Sequence, residues 1–376
     1  MLSEYNFRNF NFKLLFSVLA LNFIGLMVIN SAVGGDRSYI NRQLIGLFGG
    51  LMIALALSLI SYRYLLRFSV LIYLACIGIL VAVLIAGQLG GSGTGSQRWI
   101  TLPIVGRLQP SEFVKIGLIV FFSWFLQKNQ EKIDQLVTLI TLALLAAIPL
   151  FLIMEQPDLS TSIVIMVFIL CQIFISGISY KWIFGAVAVG VPSLSLVLYL
   201  AQIGMLPFLR PYQVNRILAF VNPGKYADLN LQQENSEMAI GSGQLYGKGL
   251  FNDTAISVKN GNFLSEEHTD FIFSVIGEEL GFMGCMIVLA LFLIFVFECL
   301  RMAGKARDLS GKLLCTGMAA LVGFQAFTNI AVATGVFPNT GLPLPFISYG
   351  VSSLVSLYIG VGIVLNVGLQ QSKLEF

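Results

Sequence analysis

Long apolar stretches separated by short polar ones dominate this chain. Runs without a single charged residue cover 14–35, 43–62, 68–97, 135–154, 159–180, 182–209 and 313–372. A helix needs roughly 20 apolar residues to span a bilayer, so each run is long enough. These runs lack the alternation of polar and apolar residues that is typical of a transmembrane barrel. The pattern therefore predicts an all-α, polytopic membrane protein.

We predict ten transmembrane helices within this pattern. They are placed at about 12–33, 43–61, 68–89, 110–127, 135–154, 160–179, 182–203, 270–299, 313–336 and 346–369. An even number of spans puts both termini on the same side of the membrane. Residues 204–268 then form one large loop between the seventh and eighth helices, and the whole chain, 1–376, is expected to be a single integral membrane domain.

Lysine and arginine positions predict the orientation, because cytoplasmic loops carry an excess of them. The side that holds both termini carries twelve, whereas the short loops of the other side carry four: Arg37, Arg42, Arg98 and Arg107. Both termini are therefore expected in the cytoplasm and the large loop outside it. Composition agrees with this class of protein, since 57% of the residues are hydrophobic and 11% are charged, against about 25% charged in soluble domains. A soluble enzyme is excluded, and no nucleic acid partner is expected.

Metal chemistry based on cysteine or histidine is not indicated. The five cysteines lie in or beside predicted spans without metal-binding spacing, and the chain has a single histidine, His268. Small apolar packing residues are the simpler interpretation of the cysteines.

Polar residues instead collect on the predicted extracytoplasmic side. The glycine-rich loop 91–99 ends in Gln97-Arg98-Trp99, and its backbone N–H groups together with Arg98 could hold an anion. The alternative is an ordinary loop with Trp99 as an anchor at the membrane surface.

Two helix starts carry charges close to the apolar layer. Glu112 and Lys115 are three residues apart at the start of the fourth predicted helix and therefore share a face. They form either a structural ion pair or a cation that faces a polar cavity. Asp158 precedes the sixth predicted helix, where it could cap that helix or take part in a site.

The large loop contributes two further cations. Arg210 precedes and Arg216 lies within a segment whose apolar residues recur at helical spacing, which favours a short amphipathic helix on the membrane. Both side chains could meet phosphate groups.

Asp270 begins the eighth predicted helix, where water meets the apolar layer. Burial and neighbouring charges can adapt a carboxylate at such a boundary to work as a general base. The alternative is a simple helix cap. Prolines and glycines interrupt the apolar run at 337–350, and irregular backbone at this depth is tolerated only where it is buried or lines a cavity. This segment is expected to fold into the same cavity.

Six motifs strongly resemble the SEDS family (shape, elongation, division and sporulation), in the family's order and over nearly the whole chain. They are Gln97-Arg98-Trp99, Gln109-Pro110-Ser111-Glu112, Gln156-Pro157-Asp158, Ala239-Ile240-Gly241-Ser242-Gly243, His268-Thr269-Asp270-Phe271-Ile272-Phe273 and Pro343-Leu344-Pro345-Phe346-Ile347-Ser348-Tyr349-Gly350. The form at 341–345 resembles the elongation members more than the division members. Ser265, Gln244 and Val351 depart from the family pattern, and none of them replaces a charged site residue.

The resemblance implies a peptidoglycan glycosyltransferase that polymerises lipid II at the outer face of the bacterial cytoplasmic membrane. It also implies a class B penicillin-binding protein as transpeptidase partner, alongside other membrane proteins of the elongation complex. Inversion at the donor sugar needs one base and compensation of the leaving diphosphate's charge. The implied roles are Asp270 as base, Arg98, Lys115, Arg210 and Arg216 near the diphosphate, Glu112 as holder of Lys115, Asp158 near the acceptor, and Ser348 as a further substrate-binding candidate.

Three matters stay open at this level. A divalent cation, Mg²⁺ or Mn²⁺, could neutralise the diphosphate, although no residue pattern demands it. A transporter or lipid flippase would also suit interrupted helices and intramembrane carboxylates. A non-catalytic scaffold is a third reading, but it would leave the extracytoplasmic charges without a task.

Overall fold

The protein is an assembly of helices whose boundaries follow the apolar runs. A computed structural model describes residues 7–89, 100–102, 106–202, 214, 218, 227–251 and 268–370. The α-helices of this part of the chain are α1 (Phe12–Ala32), α2 (Arg37–Ser58), α3 (Tyr62–Arg67), α4 (Ser69–Leu89), α5 (Pro110–Lys128), α6 (Leu136–Glu155), α7 (Leu159–Ile175), α8 (Tyr180–Gln202), α9 (Ala227–Ser242), α10 (Ile272–Lys305), α11 (Leu309–Ala333) and α12 (Val351–Leu369). Short 3₁₀ turns lie at Phe7–Asn9 and Gln130–Lys132.

The prediction of an all-α, multi-pass membrane protein is confirmed. Among the described residues, seven helices are long and apolar enough to cross a membrane, namely α1, α2, α4, α6, α10, α11 and α12, and α7 is a shorter apolar helix. Helices α5 and α8 occupy the two remaining predicted places. The additions are α3, α9 and a ribbon of two antiparallel three-residue strands, β1 (Ile100–Leu102) and β2 (Gly106–Leu108).

Local sequence explains where several helices begin. The carboxylate of Asp36 accepts a hydrogen bond from the backbone N–H of Ser38 at the start of α2, and Asp308 accepts one from Gly311 at the start of α11. Each satisfies a backbone donor that the first helical turn leaves unpaired. Pro110 occupies the first turn of α5, where its missing N–H costs nothing.

Helices α11 and α12 lie at the centre of the bundle. Within their apolar stretches, 78% of α12 and 72% of α11 is buried, compared with 22% of α2 and of α6. Helix α2 still packs closely on α12 through glycines. A Cβ added at Gly50 would lie 2.5 Å from Cδ2 of Tyr358, and one at Gly362 would lie 2.7 Å from the carbonyl oxygen of Ala54. Small residues permit such close approach between helices in membranes.

Helix α10 is not the uninterrupted helix that the sequence predicts. Gly281 lies inside it with φ 65° and ψ −165°, which breaks the helical path, and such a conformation is accessible mainly to glycine. The segment after α9 packs against this kink, where the backbone N–H of Lys248 donates to the carbonyl of Glu278 at 2.9 Å.

Two buried acids beside this kink, Glu278 and Glu279, have polar partners from other elements. Lys248 Nζ pairs with Glu278 Oε1 at 2.7 Å, and the hydroxyl of Ser31 donates to Glu279. Both glutamates are 2% exposed. A buried carboxylate is tolerated only with such partners, so the kink and its polar contacts form one structural unit.

Candidate active site

The loop between α11 and α12 folds back against the residues that precede α10. The backbone N–H of Tyr349 donates to the carbonyl of His268 at 3.0 Å. The hydroxyl of Ser348 donates to the carbonyl of Thr269 at 2.6 Å and accepts from the N–H of Leu344 at 2.7 Å. The predicted folding of the 337–350 segment towards Asp270 is therefore what the structure contains.

Asp270 lies at the centre of this contact. The side-chain amide of Asn329, on α11, donates to the carbonyls of Asp270 and of Leu342, both at 2.7 Å. Gly341 has φ 69°, and a Cβ added to it would lie 3.2 Å from Asp270 Oδ2. The loop thus passes directly beside the carboxylate, and a glycine makes this approach feasible.

Asp270 does not occupy the N-cap position of α10. The residue at the N-cap position of α10 is Phe271, whose own side chain makes no capping hydrogen bond. Asp270 itself is half-buried. Its carboxylate lies in the turn before α10, at the end of the bundle where the 337–350 loop passes.

Asp158 caps α7, as one of the two alternatives predicts, and it also contacts the residue before α5. Its Oδ1 accepts a hydrogen bond from the N–H of Thr161 at 3.2 Å and caps α7. Its Oδ2 accepts from Nε2 of Gln109, just before α5, at 3.3 Å. Ser160 donates to the carbonyl of Thr340, so the start of α7 is tied to the same loop that passes Asp270.

Glu112 and Lys115 form a buried ion pair. Lys115 Nζ lies 2.9 Å from Glu112 Oε1, and the two side chains are 1% and 3% exposed. Lys115 also donates to Oε1 of Gln325 at 3.1 Å, and Nε2 of Gln325 donates to the carbonyl of Pro343 at 2.9 Å. The structure thus contains the ion pair of the first alternative. Gln325 connects this pair to the 337–350 segment.

The structure therefore unites five of the eight predicted site residues around one loop: Glu112, Lys115, Asp158, Asp270 and Ser348. Three predicted residues, Arg98, Arg210 and Arg216, lie outside the described residues, as does most of the amphipathic segment between 214 and 221.

Sequence reasoning missed Gln325 and Asn329. Both side chains are almost fully buried in α11, at 0% and 1% exposure. They are four residues apart and so share one helix face. Two amides on one face of a charge-free run were the available signal, because buried polar side chains need partners.

Three buried polar atoms near the loop make no hydrogen bond within the part of the chain that the structure describes: Glu112 Oε2, Asn329 Oδ1 and Thr340 Oγ1. Among these described residues, no group of three His, Cys, Asp or Glu side chains could hold a metal ion. Within the described residues, the site therefore combines the half-buried carboxylate of Asp270, the 337–350 loop beside it and further hydrogen-bonding capacity around them. Such an arrangement suits proton abstraction from a bound hydroxyl.

Comparison with known proteins identifies the family. A sequence model of the FtsW, RodA and SpoVE proteins, described as "cell cycle protein", matches residues 12–373. The chain belongs to this family. Among its relatives is the probable peptidoglycan glycosyltransferase FtsW of Trichlorobacter lovleyi, 35% identical over 373 residues, which cover 96% of this chain and 94% of that protein. Another is the peptidoglycan glycosyltransferase MrdB of Escherichia coli K12, 34% identical over 367 residues, with 96% and 94% covered.

Solved structures of this FtsW/RodA/SpoVE family share the fold. One comes from work on the structural coordination of polymerization and crosslinking by a peptidoglycan synthase complex, with a TM-score of 0.78, 30% identity and coverage of 96% of this chain and 97% of that one. Another is the rod shape determining protein RodA of Thermus thermophilus, with a TM-score of 0.70, 27% identity and coverage of 97% and 98%. Similarity to RodA agrees with the predicted resemblance, and FtsW proteins are similar as well.

Proposed function

We propose that this chain polymerises lipid II into glycan strands at the outer face of the bacterial cytoplasmic membrane, with Asp270 as the general base. The coarser activity, that of a peptidoglycan glycosyltransferase, agrees with the family of the chain and with relatives named for it. The observation that carries the role of Asp270 is its half-buried position beside the 337–350 loop, where Gly341 allows the loop to pass close to the carboxylate.

In the proposed reaction, Asp270 takes the proton from the 4-hydroxyl of the acceptor sugar. The acceptor oxygen attacks the anomeric carbon of the donor, and the bond to undecaprenyl diphosphate breaks with inversion. A positioned base contributes about 100-fold or more to such a step. The half-buried carboxylate suits this task, because a site that excludes much of the water strengthens its electrostatic interactions.

The remaining acids and Lys115 are proposed to shape the site around Asp270. Lys115 is bonded to Glu112 and Gln325 and is almost fully buried, so we assign it a positioning role through the loop. Asp158 positions the start of α7 against Thr340 through its cap, and Ser348 holds the loop against Thr269. Charge compensation at the diphosphate is assigned to Arg98, Arg210 and Arg216.

A divalent cation would be bound together with the diphosphate of the substrate. Mg²⁺ is often bound by one or two carboxylates together with substrate phosphates, so it needs no complete protein cage. Among the described acids of the site, half-buried Asp270 is the one that could contribute oxygen ligands, because Asp158 and Glu112 are buried and bonded to neighbouring groups. When bound, such an ion would neutralise charge on the leaving diphosphate.

The partner and the cellular role are proposals as well. A class B penicillin-binding protein would supply cross-linking, and a similar structure comes from a complex that coordinates polymerization with crosslinking. We assign the chain to cell elongation, alongside other membrane proteins of that machinery, on the resemblance of residues 341–345 to elongation members.

The decisive experiment compares Asp270→Asn and Asp270→Ala with the parent protein, each purified with its partner. We expect glycan-strand formation from lipid II to fall by at least about 100-fold in both variants, because neither side chain accepts the proton. Asp36→Asn is the matched control, since Asp36 is an exposed aspartate that caps α2 at the same end of the bundle. Its activity should stay near that of the parent.

Near-normal polymerisation by folded Asp270→Asn would remove the residue from the catalytic role. A flippase makes a different prediction in the same preparation. It would move labelled lipid II across sealed vesicles without a partner and form no glycan strands.

A further inference from the structure

A basic pocket lies at the end of the bundle opposite Asp270. Helix α10 starts beside Asp270, and the pocket includes Asp308, three residues beyond the end of that helix. Its volume is about 450 Å³. The lining residues come from α3, the end of α5 and the start of α11: Arg63, Leu66, Arg67, Trp124, Gln127, Lys128, Asp308 and Ser310.

Cations outnumber acids in this pocket. Arg63, Arg67 and Lys128 line it, and Asp308 is the one acid among its described lining residues. Asp308 is already engaged, because Oδ1 accepts from the N–H of Gly311 at 2.8 Å and Oδ2 lies 3.9 Å from Nε of Arg63. The charges of Arg67 and Lys128 are therefore left to attract an anion.

Ser310, which lines the pocket, offers a hydrogen-bond donor to the same anion. Ser310 is fully buried, and its hydroxyl makes no hydrogen bond within the described part of the chain. A buried hydroxyl without a partner is unfavourable, so an acceptor at this place would stabilise it. Ser310 also lies in the first turn of α11, where the helix dipole favours negative charge.

The pocket lies at the depth of lipid headgroups. Helix α3 connects two candidate spans, Arg37–Ser58 and Ser69–Ala86. Trp124 is half-buried, with Lys128 Nζ 4.9 Å from its ring centroid, and tryptophan is typical of the membrane interface. Phe68 directly follows Arg67 in the sequence, and Leu71 lies in the first turn of α4. Their side chains are 55% and 64% exposed, which gives acyl chains an apolar surface.

We propose that this pocket binds the phosphate of an anionic membrane phospholipid, whose acyl chains lie along α4. Basic pockets between helix ends are a known means of binding acidic headgroups. The proposal concerns a site separate from the glycosyltransferase site, and it holds whether or not Asp270 is the base.

Trp124 reports directly on occupancy. The chain has three tryptophans, so Trp99→Phe and Trp182→Phe leave Trp124 as the single fluorophore in the full-length protein. Reconstitution in nanodiscs that contain phosphatidylcholine and increasing brominated phosphatidylglycerol should quench Trp124 at a low mole fraction of the anionic lipid. Brominated phosphatidylcholine should quench it only in proportion to its bulk share.

Charge-removing variants test the named residues. Arg67→Gln and Lys128→Gln should each raise the half-quenching mole fraction about fivefold, and the double variant about 25-fold. Both side chains are exposed, so the fold should be kept, which circular dichroism verifies. Lys181→Gln is the matched control, because Lys181 is an exposed cation at the same end of the bundle and outside the pocket.

Three outcomes would overturn the proposal. The double variant could retain the parent's preference for phosphatidylglycerol. Lys181→Gln could weaken it as much, which would indicate diffuse surface charge. Millimolar inorganic phosphate could relieve the quenching completely in the parent protein, which would identify a free-phosphate site instead of a lipid site.

Discussion

At the scale of single residues, the surroundings of Asp270 depend on two neighbouring residues, Asn329 and Gly341. Asn329 holds the backbone of Asp270 and that of Leu342 with one amide group. Gly341 lets the loop pass close to the carboxylate in a backbone conformation with φ 69°. A shift of about 1 Å in such a constellation can cost on the order of 100-fold in rate.

We therefore expect Gly341→Ala to reduce polymerisation strongly while the protein still folds. The new Cβ would lie 3.2 Å from Asp270 Oδ2, and the positive φ would be strained. The rate of glycan-strand formation from lipid II measures the effect, and the melting temperature measures stability. Gly34→Ala provides the control, because Gly34 has φ 61° and its added Cβ meets nothing within 4 Å. An equal loss of activity in both variants would contradict the argument from the Asp270 contact.

At the scale of elements, the Glu112–Lys115 pair links α5 to α11 and to the loop. Removal of one partner from a buried pair costs about 3 kcal/mol or more, because the other charge stays buried alone. We expect Lys115→Met to lower the free energy of unfolding by about that amount. The double variant Glu112→Gln/Lys115→Met should recover a large part of the loss. Thermal unfolding in detergent measures both.

The same two variants distinguish a stabilising role of Lys115 from a direct role in the reaction. Restored stability with activity still low in the double variant would show that the charge of Lys115 matters to the reaction itself. Lys132→Met is the control for removing a lysine, since Lys132 is exposed in the turn after α5. A Lys115→Met protein as stable as the Lys132→Met protein would be inconsistent with the buried pair.

How much the sequence could predict also differs between elements and contacts. Runs of apolar residues set the positions of the ten predicted helices, because the bilayer demands such runs. They carry no information on the kink at Gly281, which arises from packing against the segment after α9. Nor could they identify Gln325 as the partner of Lys115, since 210 residues separate the two and only the fold brings them together. The sequence could predict Asp270 as a candidate site residue, because a carboxylate at a membrane boundary is rare and its burial costs free energy.

At the scale of the whole molecule, the two ends of the bundle carry different chemistry. Asp270, Asp158 and the loop lie at one end, and the basic pocket with Arg63, Arg67 and Lys128 lies at the other. The excess of Lys and Arg on the side of the pocket predicts that this side faces the cytoplasm.

Reporter fusions test this orientation. We expect a fluorescent protein fused after residue 376 to be bright and alkaline phosphatase at the same place to be inactive, because the carboxyl terminus should be cytoplasmic. Alkaline phosphatase fused within 204–268 should instead be active. The opposite pattern would place the glycosyltransferase site on the cytoplasmic side and would contradict polymerisation at the outer face.

The close packing of α2 against α12 has a consequence for biosynthesis. Gly50 and Gly362 bring together two segments that are about 300 residues apart in the sequence, so this interface cannot form until α12 has left the ribosome. The loop that flanks Asp270 is anchored by the same final helix through Gly350, whose N–H donates to Gln43 of α2 at 3.2 Å. In a nascent chain, the Asp270 carboxylate thus enters the membrane before its surroundings exist, and those surroundings are complete only after α12 has been synthesised.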